Sequence, residues 1–459
     1  MPRWLLVVSV CAACGSSTHG TALPTKPSDA DPDGPHRDAI AAQIKPFVDG
    51  EIVSGIVVAV YDAGRREIYG FGKGPGGAPP KGRTLFEIGA VTKVYTSLLF
   101  ADAIQRREVA LNTAIAELLP PGVTAPTREK KTISLGHLAV HSSGLPRLPA
   151  TIERNADKAD PYARYDEDAL YRDLVHTELV AVPGQHIVYS NYGVGLLGFL
   201  LGKKIGGGYQ DALTKRVLKP LRTQDTFFTV PADAQARRAT GTNTDLAAAP
   251  YWTWDALAGA GALISSARDQ LALVEAELDA AAGGKTALRP AMRLTQESQL
   301  DVKGENVGLG WQIDGAGRYW HNGGTGGFHA FVGFDPKTKR GVVILASTSV
   351  TILDHLADVL YKILDGTPVE PVKLATAEQL KPLAGSYDFA GQPIQVIAEA
   401  KRLYIEGPGE PRHRLVPISD HEFWFEELQT VATFERDQDK VARIVFAIGD
   451  RKLVAARKP

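Results

Sequence analysis

Apolar and polar positions change period several times along the chain, and each change predicts an element. Ile52–Tyr61 (IVSGIVVAVY) is a dense β-branched run that reads as a buried strand. Asp62-Ala63-Gly64 then turns it back into a second strand over Glu67–Phe71. Ahead of this hairpin, Asp38–Asp49 carries apolar residues at helical spacing. Behind it, Thr84–Gly89 leads into a helix through Ile104 that is apolar on almost every side, a pattern that belongs in the middle of a domain.

From Leu111 to about Ser265 the text consists mostly of helical patches broken by Pro and Gly. Strand patterns return between Gly308 and Ser347 as GLGWQI, RYWHNGG, FHAFVGFDP and RGVVILAS, and Thr351–Leu364 closes the region as an amphipathic helix. Strand material at both ends of a helical insert predicts one α+β domain whose sheet is assembled from distant segments. A cleft where insert meets sheet is the natural place for a site. Residues 366–375 form a Pro-containing linker, and residues 376–459 hold about eight short alternating runs, the pattern of a small antiparallel barrel. The barrel's apolar positions are expected to fill its interior, and nothing in it reads as catalytic.

At 459 residues the chain is long enough for two or three domains, and with 44% hydrophobic and 22% charged residues it has ample material for a core. A net charge of -1, with no long basic block, argues against nucleic acid as a partner. Both cysteines fall within the first fourteen residues, MPRWLLVVSVCAAC, where Arg3 precedes a short apolar run. This reads as a cleaved export signal over residues 1–14, and its end resembles a bacterial lipoprotein signal in which Cys14 takes the lipid. Such a protein would be extracytoplasmic and tied to the membrane by its lipid. Residues 15–36, rich in Ser, Pro, Asp and Gly, are expected to be a flexible tether to a domain over 37–365. No other stretch has the roughly 18 apolar residues of a membrane helix.

Three stretches carry candidate chemistry: FEIGAVTK at 86–93, YSNYG at 189–193 behind VPG, and HNGGTGG at 321–327. They resemble the three active-site elements of the penicillin-recognising serine hydrolases, most of all the branch of class C β-lactamases, D-amino-acid carboxypeptidases and aminopeptidases, and related esterases. LGHLAVHSSGLP at 135–146, GAGALISSARD and GLGWQI resemble further stretches, so the likeness spans most of residues 38–365 in the family's order. The terminal barrel resembles a lipocalin-like appendage of some relatives. The resemblance implies a β-lactamase/transpeptidase-like fold, with an antiparallel sheet flanked by helices plus a helical subdomain. It also implies acyl-enzyme chemistry on ester, amide or β-lactam bonds, a small-molecule or peptide ligand, and no cofactor.

In that family a serine opens the central helix, where helix-end amides favour developing negative charge, and a lysine at i+3 lies on the same face. Here Lys93 fits the lysine position, but the nucleophile position is Ala90. By resemblance Tyr189 is the general base and acid, its phenol kept partly ionised by Lys93, and Asn191 orients substrate amides. Tyr189 and Asn191, at i and i+2, are expected to share one face of a strand or loop. His321-Asn322-Gly323 stands where many relatives have Lys-Thr-Gly. Gly323 and Gly324 would let a substrate backbone approach, the Gly324 amide would be an oxyanion donor, and Asn322 and Thr325 would contact ligand. His321 in place of a permanent cation makes carboxylate recognition weaker or pH-dependent.

Each of these residues also has a plainer reading. A lone Lys on a helix is usually solvated, but Lys93 sits in an apolar helix and must find partners or shift its pKa. His321 and His329 lack the further ligands a metal would need. His137, His141, Ser142 and Ser143 read as a structural turn, and Arg268-Asp269 as a helix-start ion pair. Thr127–Lys130 has the spacing of a serine-lysine pair but lies in a charged run, and Thr92 and Thr96 are rotated away from Lys93 or a turn too far. A methyl group cannot attack a carbonyl, so the covalent route is closed at Ala90. The intact export segment favours Ala90 as the native residue over a replacement made to trap substrate. The sequence therefore predicts a binder of peptidoglycan-peptide, lactam-like or ester ligands, with a working hydrolase as the alternative.

Overall fold

A computed structural model of the chain describes residues 30–155, 157–302, 305–448 and 451–458. Cys14, the segment 1–14 and most of the expected tether lie outside the described residues. Residues 30–36, however, are held against the domain: Pro32 accepts the Ile68 amide, Asp31 accepts from Gly82 and Arg268, and the His36 imidazole meets Glu67 at 2.9 Å. The tether reading fails for these residues because their acidic and carbonyl groups meet waiting donors. No helix among the described residues is long and apolar enough to cross a membrane.

The first helix, α1, is Arg37–Asp49, and strands β1 (Gly55–Asp62) and β2 (Arg65–Gly72) follow as a hairpin. Ala63 at φ 46° and Gly64 at φ 110° make its turn, the left-handed pair that suits a two-residue hairpin. The central helix α2 is Thr92–Gln105, α3 is Asn191–Ile205 and α4 is Ala267–Ala281. Strands β3 (Leu300–Val302), β4 (Glu305–Val307), β5 (Gln312–Ile313), β6 (Tyr319–Gly324), β7 (His329–Asp335) and β8 (Arg340–Ala346) come next, before α5 at Asp354–Leu364. They form one eight-stranded sheet in the order β2-β1-β8-β7-β6-β5-β4-β3, with antiparallel neighbours. β3 and β4 were not predicted from sequence.

Alternation along the middle strands explains the two cores. Val57, Ala59, Val343 and Leu345 face a core that includes α2 and α4, whereas Ile56, Val58, Val60 and Ile344 face one built on α1 and α5. A strand buried on both faces needs apolar residues at every position, which is why β1 reads as a continuous run. The sheet thus lies between two helical layers, and α2 runs through the larger core with every residue from Thr92 to Ala103 buried.

The remaining chain closes into a barrel of eight strands, β9 (Gly385–Phe389), β10 (Gln392–Glu399), β11 (Arg402–Glu406), β12 (His413–Pro417), β13 (Glu422–Phe425), β14 (Thr430–Asp437), β15 (Lys440–Ile448) and β16 (Arg451–Arg457). Its interior is filled by side chains such as Tyr387, Leu415, Phe423 and Ile444. It is fastened to the first domain. Buried Arg414 donates to the carbonyls of Glu51 and Thr244 at 2.7 and 2.8 Å, and Trp424 joins the α1/α5 core. The linker is docked too, with the Glu370 carbonyl accepting from Gln43 at 2.9 Å.

Candidate active site

The start of α2 is built to open at one point. From Thr84 to Ala103 every residue is buried except Ala90, which is partly exposed and lines a cleft of about 630 Å³. Gly89–Val91 forms a single 3₁₀ turn leading into α2. A Cβ on Gly323 would lie 2.2 Å from the Ile88 carbonyl oxygen and 2.5 Å from the Ala90 nitrogen. Glycine at 323 is therefore what lets the end of β6, beyond its short pairing with β5, close on the start of α2, bringing the backbones of Ala90 and Gly324 to one wall.

Lys93 is 1% exposed, and its Nζ donates to Asn191 Oδ1 at 2.9 Å and to the Ala260 carbonyl at 2.8 Å. Burial, helped by the nearby Arg147 guanidinium, drives its pKa well below the usual value. Its Nζ sits 5.0 Å from the centre of the Tyr189 ring. Burial also pushes the Tyr189 phenol upward, which corrects the expectation of a partly ionised phenol: both groups are driven toward neutrality by the same lost hydration. Asn191 is not on a strand-like face but in the first turn of α3. Ser190 caps that helix by accepting the Gly193 amide at 2.9 Å, and Asn191 Nδ2 donates to the Tyr162 hydroxyl at 2.8 Å.

Two expected residues sit differently. His321 is 2% exposed and lies behind the lining of the cleft, its Nδ1 2.6 Å from its neighbour Asn322's carbonyl oxygen. Burial, and then Lys93, lower its pKa to about 4, so at neutral pH it supplies no cation and the expected pH-dependent carboxylate recognition does not arise there. Thr325 is buried in the β6–β7 turn, where its amide donates to the Phe328 carbonyl, and it does not line the cleft. Asn322, Gly323 and Gly324 do line it.

Several lining residues were missed. Arg147 directly follows the LGHLAVHSSGLP stretch and lies over the Tyr189 ring at 5.2 Å. Trp252 and Trp254 form an aromatic wall, with Trp254 stacked at 3.9 Å on the buried Tyr162 behind it; its sequence signal is the i, i+2 pair in YWTW. His329 places Nε2 2.7 Å from Asp354 Oδ1, and Asn322 Nδ2 donates to the other oxygen at 2.6 Å. Burial opposes charge on His329, yet the Asp354 carboxylate outweighs it and raises its pKa. The barrel contributes as well: Glu426, Glu427 and Gln429, in the turn between β13 and β14, complete the cleft. Glu426 is held there by the Thr351 amide and Trp424 Nε1.

The plainer readings resolve on geometry. His141 packs tilted against the Tyr189 ring at 4.4 Å and accepts the Ser190 amide, a positioning role for the loop. Thr92 accepts the Leu263 amide and Thr96 donates to the Gly259 carbonyl, both away from the cleft. Arg268 pairs with Asp31, whereas Asp269 accepts the Asp225 amide, so the expected Arg268–Asp269 pair is replaced by two separate contacts. Among the described residues no group of three His, Cys, Asp or Glu side chains could hold a metal.

An α+β domain whose antiparallel sheet is covered by helices on both faces, with a buried lysine beneath an opening helix that faces a tyrosine loop and a glycine-rich strand end, defines the penicillin-recognising class of fold. Comparison agrees: the family model described as Beta-lactamase matches residues 40–364, and the chain belongs to that family. It is 26% identical over 377 residues to the D-alanyl-D-alanine-carboxypeptidase/endopeptidase AmpH of Escherichia coli (strain K12), covering 78% of this chain and 95% of that one. Penicillin-binding protein 4 of Amycolatopsis lactamdurans is 26% identical over 339 residues, covering 67% and 85%. Among solved structures, a class C β-lactamase superposes with a TM-score of 0.63 at 23% identity, over 73% of this chain and 97% of that one.

Proposed function

We propose that this chain is a ligand-binding member of its serine-hydrolase family whose acyl-enzyme chemistry is disabled at Ala90. One observation carries the reading: the only opening in the buried run from Thr84 to Ala103 presents a methyl group, while Lys93, Tyr189 and Asn191 stand around it. Loss of the nucleophile in a serine protease costs about 10⁶ in turnover and leaves roughly 10³ to 10⁴ over water from binding and oxyanion contacts. A cleft so altered recognises ligands and scarcely turns them over. Its ligands are peptidoglycan peptides, lactam-like molecules or esters, in keeping with the named activities of its relatives. Export and lipidation of Cys14 would place it in the cell envelope. The test is incubation of the protein and of Ala90→Ser with a reactive penicillin, followed by intact mass. Acylation of the serine form alone supports the reading, and acylation of neither form refutes it.

A second reading, hydrolysis by direct attack of water, rests on the His329–Asp354 pair. Nε2 is fixed on the carboxylate, and Nδ1 has no partner among the described residues and belongs to a cleft-lining side chain. There Nδ1 would take the proton of a water whose oxygen bonds to the carbonyl carbon, then return it to the leaving group. Ester turnover by the Ala90 protein that His329→Gln abolishes would establish this; turnover unchanged by that substitution would exclude it.

A further inference from the structure

The barrel has a second concavity that the cleft does not use. Phe389, Ile394, Ile405, Phe425, Leu428 and Phe446 line a cavity of about 240 Å³. Phe389, Ile405, Phe425 and Phe446 stand at or near the ends of β9, β11, β13 and β15, and Ile394 near the start of β10. Antiparallel neighbours bring those positions to one end of the barrel, so the cavity is its mouth. Phe446 packs edge-on to Phe389 at 5.7 Å, and Leu428 is left 43% exposed beside them. An exposed leucine over an aromatic-lined hollow is surface that an apolar occupant would remove from water.

The rim is acidic. Glu406 and Glu410 line it, and its histidine, His413, is paired at 2.6 Å with Glu427. The chemistry is therefore apolar walls beneath carboxylates, with the histidine of the lining held against Glu427. An anionic chain such as a fatty acid would meet like charge, whereas an ammonium would meet opposite charge. At about 30 Å³ per water-sized group, the cavity has room for about eight such groups.

We infer that the barrel mouth is a binding site for a small apolar amine, an alkyl or aryl chain of about eight heavy atoms carrying one ammonium. The chain lies among Phe389, Phe425 and Phe446, and the ammonium sits between Glu406 and Glu410. The turn Glu426–Leu428 has Leu428 in this site and its two glutamates on the wall of the cleft, so the two sites are neighbours. The inference stands independently of whether Ala90 silences the cleft.

Isothermal titration of the full chain with octylamine, octanoate and butylamine tests it. Octylamine should bind at least tenfold more tightly than either of the others. Leu428→Lys, at an exposed position that leaves the barrel core untouched, should weaken octylamine at least tenfold. Ile394→Trp, which fills the mouth, should abolish binding. The Glu406→Gln, Glu410→Gln double variant should erase the preference for amine over carboxylate. No heat with octylamine, equal binding of octanoate, octylamine binding undiminished by Leu428→Lys, or an amine preference that persists in the double variant would overturn the inference.

Discussion

Replacing Lys93 with methionine isolates the cost of burying the lysine. The amine is 1% exposed, and its pKa is driven well below 10.5 by burial and then by Arg147. The native state therefore resists the proton that the unfolded chain accepts freely. Because the folded pKa is depressed for a base, the penalty is full at pH below it. It shrinks as pH rises through it toward 10.5 and is gone above that value. Stability relative to Lys93→Met should climb across this window at a slope approaching about 1.4 kcal/mol per pH unit. The substitution also leaves Asn191 Oδ1 and the Ala260 carbonyl without Nζ, a loss of about 1–3 kcal/mol each, but that loss has no pH dependence of its own. Urea unfolding of both proteins followed by fluorescence between pH 7 and 10 separates the two contributions. Curves that stay parallel would refute the claim that Lys93 is held neutral, and with it the description of the site's electrostatics.

Three further outcomes follow from particular contacts. Burial pushes Glu277 up to about 8, so its ionisation costs about 1.4 kcal/mol per pH unit from 4.5 until it is complete near pH 8; Glu277→Gln should flatten the loss of stability in that window in a pH series of melting temperatures. Gly323→Ala drives a methyl into the Ile88 carbonyl and Ala90 amide and should cost about 1–3 kcal/mol while weakening any cleft ligand, read by thermal shift and titration. Arg414→Ala leaves the Glu51 and Thr244 carbonyls unpaired between barrel and domain; a loss of about 3 kcal/mol and faster proteolysis in the 366–375 segment are expected, and unchanged proteolysis would mean the barrel is held elsewhere.

What the sequence could convey depended on range. Lys93 three residues after Ala90, Asn191 two after Tyr189, and Gly323-Gly324 on a strand edge are short-range patterns, and the fold brings them together. The hairpin, the buried helix α2 and the eight runs of the barrel were legible because period and turn residues are local. Arg147, the Trp252–Trp254 wall and the His329–Asp354 pair owe their place to packing between segments far apart in the chain, which no local period reports. Glu426, Glu427 and Gln429 are the sharpest case: in sequence they read as an acidic interruption of a barrel, and only docking through Arg414 and Trp424 turns that turn toward the cleft. The ionisation of Tyr189 and His321 was misjudged for a related reason, since burial, not the neighbouring residue type, dominates both.

The most direct test is introduction of a serine at position 90. The full chain and its Ala90→Ser variant are incubated with a reactive penicillin and an activated short-chain ester, and both intact mass and released ester product are followed. Acyl mass or turnover is expected in the Ala90→Ser variant and neither in the protein as it stands. Turnover by the Ala90 protein at a rate matching the variant would contradict this and direct attention to water activated at His329.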